Sequence, residues 1–421
     1  MNMRWKIKKQ DLYNFFFIVL YKIALDLFYY FFILPVWGYA GFELNFNILK
    51  FVESFFLLIV IFLLIPKSKE RLSNIMVWLL VLLSYVPMLT IFAFMDQPRI
   101  YMYAVTGFWM LVFLLLNLPT ISVTPFKRPQ SKIMRYGIFI ILSGLVFFLI
   151  YKYLGVFFNF DFAKVYDIRA EYGARGVALA GYLFHWSAYI VNPIFFAIFL
   201  VKRNWFLVGV VIFLQVLLFS VTGMKAFLFA LPFVLVLIWI ISRKNPLFWM
   251  AFGLTALILV GLLSYWLIDY SDISSLVVRR VLFVPAQLSF FYYDFFSQHD
   301  HTFLSQHRIF GDFLDYPYHL PPANLIGEVY YDSSKTSANN GLYADAYMSF
   351  GFIGFVFWAI LLTIILKLID SFSQHKQKII AVAAIARPAG FLINSAFLTS
   401  LLTHGLLLSL IILYLLPKEK K

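Results

Sequence analysis

Six cationic side chains and two carboxylates stand next to long apolar runs, where they could act on a phosphorylated substrate. The cations are Arg169, Arg175, Lys225, Arg279, Arg280 and Arg308. Arg binds phosphate oxygens through a bidentate fork, and Lys acts as a point charge. Converging cations of this kind would suit a lipid pyrophosphate. The alternative is that they pair with nearby acids and only stabilise loops. Those acids are Asp161, Asp167, Glu171, Asp272 and Asp294.

The two carboxylates are Asp345 in GLYADAYMSFG and Glu328 in NLIGEVYY. Either one could serve as the general base that removes a proton from a sugar hydroxyl. For Asp345 the alternative is structural, because an acid in the first turn of a helix meets the positive end of the helix dipole. For Lys225 a functional role is favoured over a structural ion pair, since no acid is near it in sequence and it borders an apolar run.

Histidines in one long connection raise the question of a metal site, and an ionisable pair lies in the first apolar run. The histidines are His299, His301, His307 and His319. Zinc sites need three or four converging ligands, and this spacing does not by itself provide them. We expect solvated loop residues, no metal and no other cofactor. Lys22 and Asp26 stand one helical turn apart and are expected to neutralise each other. A proton relay is the alternative.

Composition indicates a membrane protein with many spans. Of the 421 residues, 63% are hydrophobic and 13% are charged, against about 45–50% and about 25% in soluble domains. There is no Cys, which excludes disulfides and thiol catalysis. We assign the net charge of +14 to cytoplasmic loops beside anionic lipid rather than to nucleic-acid binding.

The apolar runs predict an all-α polytopic fold with about twelve transmembrane helices and a single membrane domain over 1–421. The predicted spans are 12–34, 48–65, 74–95, 100–118, 136–154, 177–201, 204–221, 224–242, 247–268, 342–369, 379–393 and 404–416. Basic residues precede the first span and recur in every second connection, so both termini are predicted to be cytoplasmic. One helix over 395–416 is the alternative to the last two spans, but it would leave the basic tail 417–421 outside, so the positive-inside rule favours two short spans.

Two outer connections are long. The first is a charged loop over 155–176, and the second is a large extracytoplasmic loop over 269–341. Loops of this length are usually functional or disordered, and the aromatic content of the second argues against disorder. It leads into NNGLYADAYMSFGFIGF, which places amides and an acid at the start of a membrane helix. Gly351 and Gly354 would let a neighbouring backbone approach that helix closely.

Six stretches resemble, in order, the oligosaccharide repeat-unit polymerases of the Wzy type, also called O-antigen polymerases. They cover about the C-terminal two-thirds of the chain. The stretches are VYDIRAEY with GYLFHWSAYIVNP, FSVTGMKAFLF, RRVLFVPAQLSFFYYDFF, YPYHLPPANLIGEVYY, NNGLYADAYMSFGFIG and NSAFLTSLLTHGLLLSL. The N-terminal third matches only in hydropathy.

The resemblance implies a metal-independent glycosyltransferase in the bacterial inner membrane, with its active site facing the periplasm. Donor and acceptor would both be oligosaccharides on undecaprenyl pyrophosphate, and the acceptor hydroxyl would displace that lipid from the growing glycan. The product would be O-antigen of lipopolysaccharide or a related surface polysaccharide, and a chain-length-regulating co-polymerase is the implied partner. The six cations would hold the pyrophosphates, and Asp345 or Glu328 would be the base.

At one position the sequence differs from a related family of enzymes. The O-antigen ligases resemble the same region but carry a His before a Gly-x-x-Gly pattern. Here that position corresponds to Asn340, ahead of Gly351 and Gly354. Asn cannot act as a base, which counts against a ligase and leaves the base open. The other alternative is a lipid-linked oligosaccharide flippase, although its loops are generally shorter than 269–341.

Overall fold

The computed structural model describes residues 9–123, 132–154, 168, 178–307, 309–374 and 377–416, and over these ranges all regular structure is helical. Nine helices there are long and apolar enough to cross a membrane. They are Lys9–Ala40, Leu72–Phe94, Arg99–Asn117, Gly181–Val201, Trp205–Thr222, Pro246–Ile268, Ile273–Phe296, Leu342–Ser373 and Phe397–Leu415. The prediction of an α-helical polytopic protein is confirmed, whereas twelve spans and their orientation stay predictions.

Several predicted spans are helices that are shorter than a full membrane crossing. Ile48–Leu64 has 17 residues and Lys378–Phe391 has 14. The predicted spans 136–154 and 224–242 correspond to the short apolar helices Phe139–Lys152 and Lys225–Ile241. These four predicted spans are too short to count, since a straight span needs about 20 residues, and one unpredicted candidate, Ile273–Phe296, brings the total over the described residues to nine.

The segment 269–341, predicted as one large loop, contains two helices. Ile273–Phe296 is itself long enough to span a membrane, and Pro322–Tyr331 is a shorter helix. The first has the lowest mean hydropathy of the nine candidates. Its apolar pattern is interrupted by Arg279, Arg280 and Asp294, which is why hydropathy did not single it out. The side of the membrane that this segment faces stays a prediction.

The chain forms two compact units. Unit 1 comprises Met1–Pro119, Arg243–Leu366 and Leu392–Phe397, and unit 2 comprises Thr120–Ser242, Lys367–Phe391 and Leu398–Lys421. Neither unit is one continuous stretch of sequence. The helix Leu342–Ser373 begins in unit 1 and ends in unit 2.

The core of unit 1 contains the ion pair that the sequence predicts. Lys22 Nζ donates to the Asp26 carboxylate at 2.5 and 2.7 Å, and Thr90 Oγ1 donates to Asp26 at 2.7 Å. Lys22 is fully buried. A buried charge is tolerated when it is paired and hydrogen-bonded, so the mutual neutralisation of this pair is confirmed.

Aromatic side chains of unit 1 fix the start of the helix Leu342–Ser373. Trp109 Nε1 donates to Tyr343 Oη at 2.7 Å, and the same hydroxyl is 2.8 Å from Ser84 Oγ. Tyr343 is therefore buried with its polar tip satisfied, as buried tyrosines normally are. This anchor determines where the following residues, including Asp345, lie.

Candidate functional site

The helix Leu342–Ser373 is sharply broken at Phe350 and Gly351. Phe350 has φ −145° and ψ 19°, and Gly351 has φ 60° and ψ −144°. The second pair of angles lies close to a region that only glycine occupies without strain. The break separates a short first part of the helix, 342–349, from the long remainder. Asp345 lies on the short part.

Two backbone carbonyls that the break frees accept hydrogen bonds from a preceding segment of unit 1. Thr302 N–H donates to the Met348 carbonyl at 3.0 Å, and Phe303 N–H donates to the Ser349 carbonyl at 3.1 Å. Hydrogen bonds from this segment thus replace the helical hydrogen bonds that the two carbonyls lose at the break. The segment brings His301 against Gly351, where a Cβ would lie 2.9 Å from the His301 Nε2 atom.

Gly354 allows the two parts of the helix to pass very close to each other. A Cβ on Gly354 would lie 1.9 Å from the Ala346 carbonyl oxygen. The predicted close approach at Gly354 is confirmed, but the approaching backbone belongs to the same helix rather than to a neighbour. At Gly351 the neighbour is a side chain. This packing holds the short part of the helix, and with it Asp345, in a fixed position.

Asp345 is fully buried and is held by three donors. Trp358 Nε1 and the Phe397 backbone N–H donate to its Oδ2 at 2.9 and 2.8 Å, and Asn340 Nδ2 donates to Oδ1 at 3.2 Å. Hydrogen bonds to a carboxylate are among the strongest in proteins. The three donors come from separate parts of the chain, so the carboxylate is a rigid feature of unit 1.

His307 is a partly buried imidazole that interacts electrostatically with Asp345. Its Nε2 atom is buried and has no hydrogen-bond partner among the described residues. Burial lowers the pKa of His307 from its ordinary value, and the negative charge of Asp345 partly opposes this shift. A neutral imidazole beside a fixed carboxylate can accept a proton, and the carboxylate then stabilises the imidazolium that results.

An open cavity of about 470 Å³ borders the broken helix. It is lined by Phe296, Ser297, Gln298, His299, Asp300, His301, Pro317, Tyr318 and Tyr347. Volumes of roughly 300–1,000 Å³ are usual for small-molecule sites. The lining combines aromatic faces, which can stack on the C–H faces of sugar rings, with a carboxylate and imidazoles that can bind hydroxyls. Asp345 is not part of the lining, but His301 and Tyr347 connect the cavity to the helix that carries it.

Two other predicted site residues, Glu328 and Arg279, have partners of their own within unit 1. Glu328 accepts a hydrogen bond from His319 Nε2 at 3.0 Å in a largely exposed pair. Arg279 lies on the π-helical turns of Ile273–Phe283, with its guanidinium carbon 3.5 Å from the ring centre of Trp37.

The remaining predicted cations have different settings. Arg280 is exposed, next to Arg279 in the chain. Lys225 is partly buried at the start of Lys225–Leu228 in unit 2. Arg169, Arg175 and Arg308 lie outside the described residues. Within the described ranges, no three His, Asp or Glu side chains converge on a metal position.

His307, Trp358 and the Phe397 backbone were not predicted as parts of the site. The sequence carries a weak signal for one of them, because His307 is one of several histidines in the aromatic-rich segment before Asp345. Their spacing alone predicts solvated loop residues, whereas the structure partly buries His307. No periodicity links Asp345 to Phe397, since their contact depends on how unit 1 folds.

Acidification is expected to destabilise the folded chain. Burial lowers the folded-state pKa of both His301 and His307, so folding favours the neutral imidazoles. This stabilisation is complete above the ordinary His pKa of about 6.5. It is lost as the pH falls below that value and through the lower folded-state pKa values. Melting temperatures of the purified chain in detergent, measured from about pH 8 to about pH 5, test this.

The control for this measurement is a double variant, His301→Gln with His307→Gln, which should show a weaker dependence of melting temperature on pH. His319→Gln should behave like the wild type. An acid dependence in the double variant as steep as in the wild type would contradict the assignment to these two imidazoles.

Comparison of the chain with protein families, with curated proteins and with solved structures finds no match.

Proposed function

We propose that this chain is a membrane-embedded glycosyltransferase that joins lipid-linked oligosaccharide repeat units into a surface polysaccharide. The observation that supports it most is the buried Asp345 carboxylate, fixed by three donors next to a His307 imidazole whose Nε2 has no described partner. The resemblance to O-antigen polymerases supplies the substrate class, undecaprenyl-pyrophosphate-linked oligosaccharide. Localisation in a bacterial inner membrane, with a periplasmic site, belongs to the same proposal.

In the proposed reaction, His307 Nε2 accepts the proton of the acceptor hydroxyl. The hydroxyl oxygen forms a bond to the anomeric carbon of the donor, and the bond from that carbon to the pyrophosphate oxygen breaks. The lipid pyrophosphate leaves with the bonding electrons. The negative charge of Asp345 stabilises the protonated form of His307, as the third member of a catalytic triad does. This arrangement needs no protein-bound cofactor, because the pyrophosphate is the activated leaving group.

Charge on the leaving pyrophosphate requires cations, and Arg279 is the best-supported one in unit 1. Its guanidinium stacks on Trp37, and its buried Nε has no hydrogen-bond partner among the described residues. A guanidinium that is fixed in advance stabilises developing negative charge effectively. Arg280 is the second candidate. Glu328 has no catalytic role in this proposal, because its partner is the exposed His319.

A gel of surface glycan from a strain lacking this chain tests the proposal. Complementation with wild type or with His319→Gln should restore the ladder of bands from glycans with many repeat units. His307→Gln, present in the membrane at the same amount, should leave only the lipopolysaccharide core that carries a single repeat unit. A normal ladder with His307→Gln would refute His307 as the base. Loss of the single repeat in the deletion strain would instead indicate a ligase or a flippase.

A further inference from the structure

Unit 2 contains a group of ionisable side chains that the proposed reaction does not use. Arg387 lies on the helix Lys378–Phe391, His185 on Gly181–Val201, and His404 within Phe397–Leu415. The imidazole rings of His185 and His404 have centroids 5.9 Å apart. Arg387 and His185 are both close enough to interact electrostatically with His404. Three groups that are cationic when protonated therefore face one another in an apolar surrounding.

Arg387 is surrounded by aromatic rings that do not satisfy its hydrogen-bond donors. Its guanidinium carbon lies 4.9 Å from the ring centre of Tyr189, 5.2 Å from that of Phe391 and 5.8 Å from that of Phe233. Cation–π contacts stabilise the charge of the guanidinium. They do not replace hydrogen bonds, and a guanidinium carries five N–H donors. The buried Nε has no hydrogen-bond partner among the described residues. A buried donor without a partner raises the free energy of the folded protein unless a ligand accepts its hydrogen bond.

The described part of unit 2 provides little negative charge to neutralise this group. Its one acid there is Asp370, which belongs to the final turns of Leu342–Ser373. Arg387 forms no ion pair with a described residue. Charged residues inside membrane segments are expensive and usually mark a ligand or ion site.

Close packing holds the three side chains in place. The His404 ring stacks on Phe391, with centroids 4.0 Å apart and an interplanar angle of 13°. The following residue, Gly405, has φ +79°, and a Cβ there would lie 2.1 Å from a side-chain carbon of Ile190. His185 Nδ1 is 2.7 Å from the Gly181 carbonyl. Donor groups fixed in this way lose little entropy when a ligand binds.

We propose that Arg387, His185 and His404 form a binding site for the phosphate group of a membrane lipid. The Arg fork matches two phosphate oxygens, and imidazole N–H groups can donate to others. Arg387 lies close to the C-terminal end of its helix, and His185 lies in the first turns of its span. The end of the candidate span that carries His185 would lie at the depth of lipid headgroups, which favours a lipid phosphate over a soluble ion. This proposal does not depend on glycosyl transfer.

Binding measurements on the full chain in neutral detergent test the site. The probes are phosphatidic acid in phosphatidylcholine mixed micelles, a short-chain prenyl pyrophosphate, and inorganic phosphate. Arg387→Gln should weaken binding of the two lipid phosphates by roughly tenfold or more, the usual effect of losing a charge-assisted hydrogen bond. The exposed Arg203→Gln in the same unit is the matched control and should bind like the wild type.

The melting temperature without ligand separates binding from folding. Arg387→Gln loses the cation–π contacts but also removes an uncompensated buried charge, so the melting temperature should change little. Weaker binding by a variant that melts like the wild type supports the site. Equal binding by wild type and Arg387→Gln, or no binding by the wild type, would refute it. Inorganic phosphate binding as tightly as the lipid probes would refute the lipid assignment and indicate a soluble anion.

Discussion

Replacing Asp345 with Asn is expected to lower the rate of glycan polymerisation by about 10²- to 10⁴-fold, the usual contribution of a positioned acid–base group. The Asn side chain has nearly the same shape as Asp. Its oxygen can take the place of Oδ2 and keep the bonds from Trp358 and Phe397. Asn340 can turn its amide so that its oxygen accepts from the new NH₂ group. The fold is retained, whereas the charge that supports His307 is lost.

Two further variants make this experiment specific. Asp345→Ala leaves three buried neutral donors without an acceptor. Because each such donor costs about 1–3 kcal/mol, the free energy of unfolding should fall by at least about 3 kcal/mol. The exchange variant, Asn340→Asp with Asp345→Asn, keeps an Asp–Asn hydrogen bond but moves the carboxylate. It should remain as inactive as Asp345→Asn. Full activity of Asp345→Asn or of the exchange variant, measured with lipid-linked repeats and purified protein, would refute the role of Asp345.

Gly354→Ala is expected to be the most disruptive single-methyl change in unit 1. The added carbon would lie 1.9 Å from the Ala346 carbonyl oxygen, far inside van der Waals contact. The neighbouring atom is backbone, so the two parts of the broken helix would have to separate. Overpacking typically costs about 1–3 kcal/mol and sometimes more, and here we expect at least the upper value. Melting temperature and the yield of folded protein from the membrane measure the effect.

Glycine positions elsewhere in unit 1 provide matched controls. A Cβ at Gly107 or Gly253 would have no atom within 4 Å, and both residues are inside regular helices. Ala there should be neutral or stabilising, by up to about 1 kcal/mol, because Ala is the better helix former. If Gly354→Ala and Gly253→Ala melt at the same temperature, the close approach at Gly354 does not exist in the folded protein.

The helical membrane architecture could be predicted because hydropathy acts locally along the chain. The spans 74–95, 100–118 and 247–268 match Leu72–Phe94, Arg99–Asn117 and Pro246–Ile268 to within two residues at each end. Ile273–Phe296 was not predicted, since its Arg279 and Arg280 interrupt the apolar run. A helix that packs within unit 1 can carry charges that a lipid-facing helix cannot.

The site was only partly predictable, because residue type gives chemistry but not tertiary partners. The position of Asp345 at the start of an apolar helix makes it a candidate general base. Its burial depends on the break at Gly351, and the sequence shows only that two glycines are close together. The sequence predicts a solvated His307, because nothing in a single sequence shows that this segment folds back toward Asp345.

The donor from Phe397 has a consequence for biosynthesis. Residues 392–397 are the last part of unit 1, and they follow a stretch that belongs to unit 2. The Asp345 carboxylate therefore lacks one of its three donors until the ribosome has made residue 397. A protein cut after residue 366 would contain Asp345, Asn340 and Trp358 but would lack the Phe397 backbone donor. Chains released before residue 397 would accordingly lack this donor and carry an incomplete site.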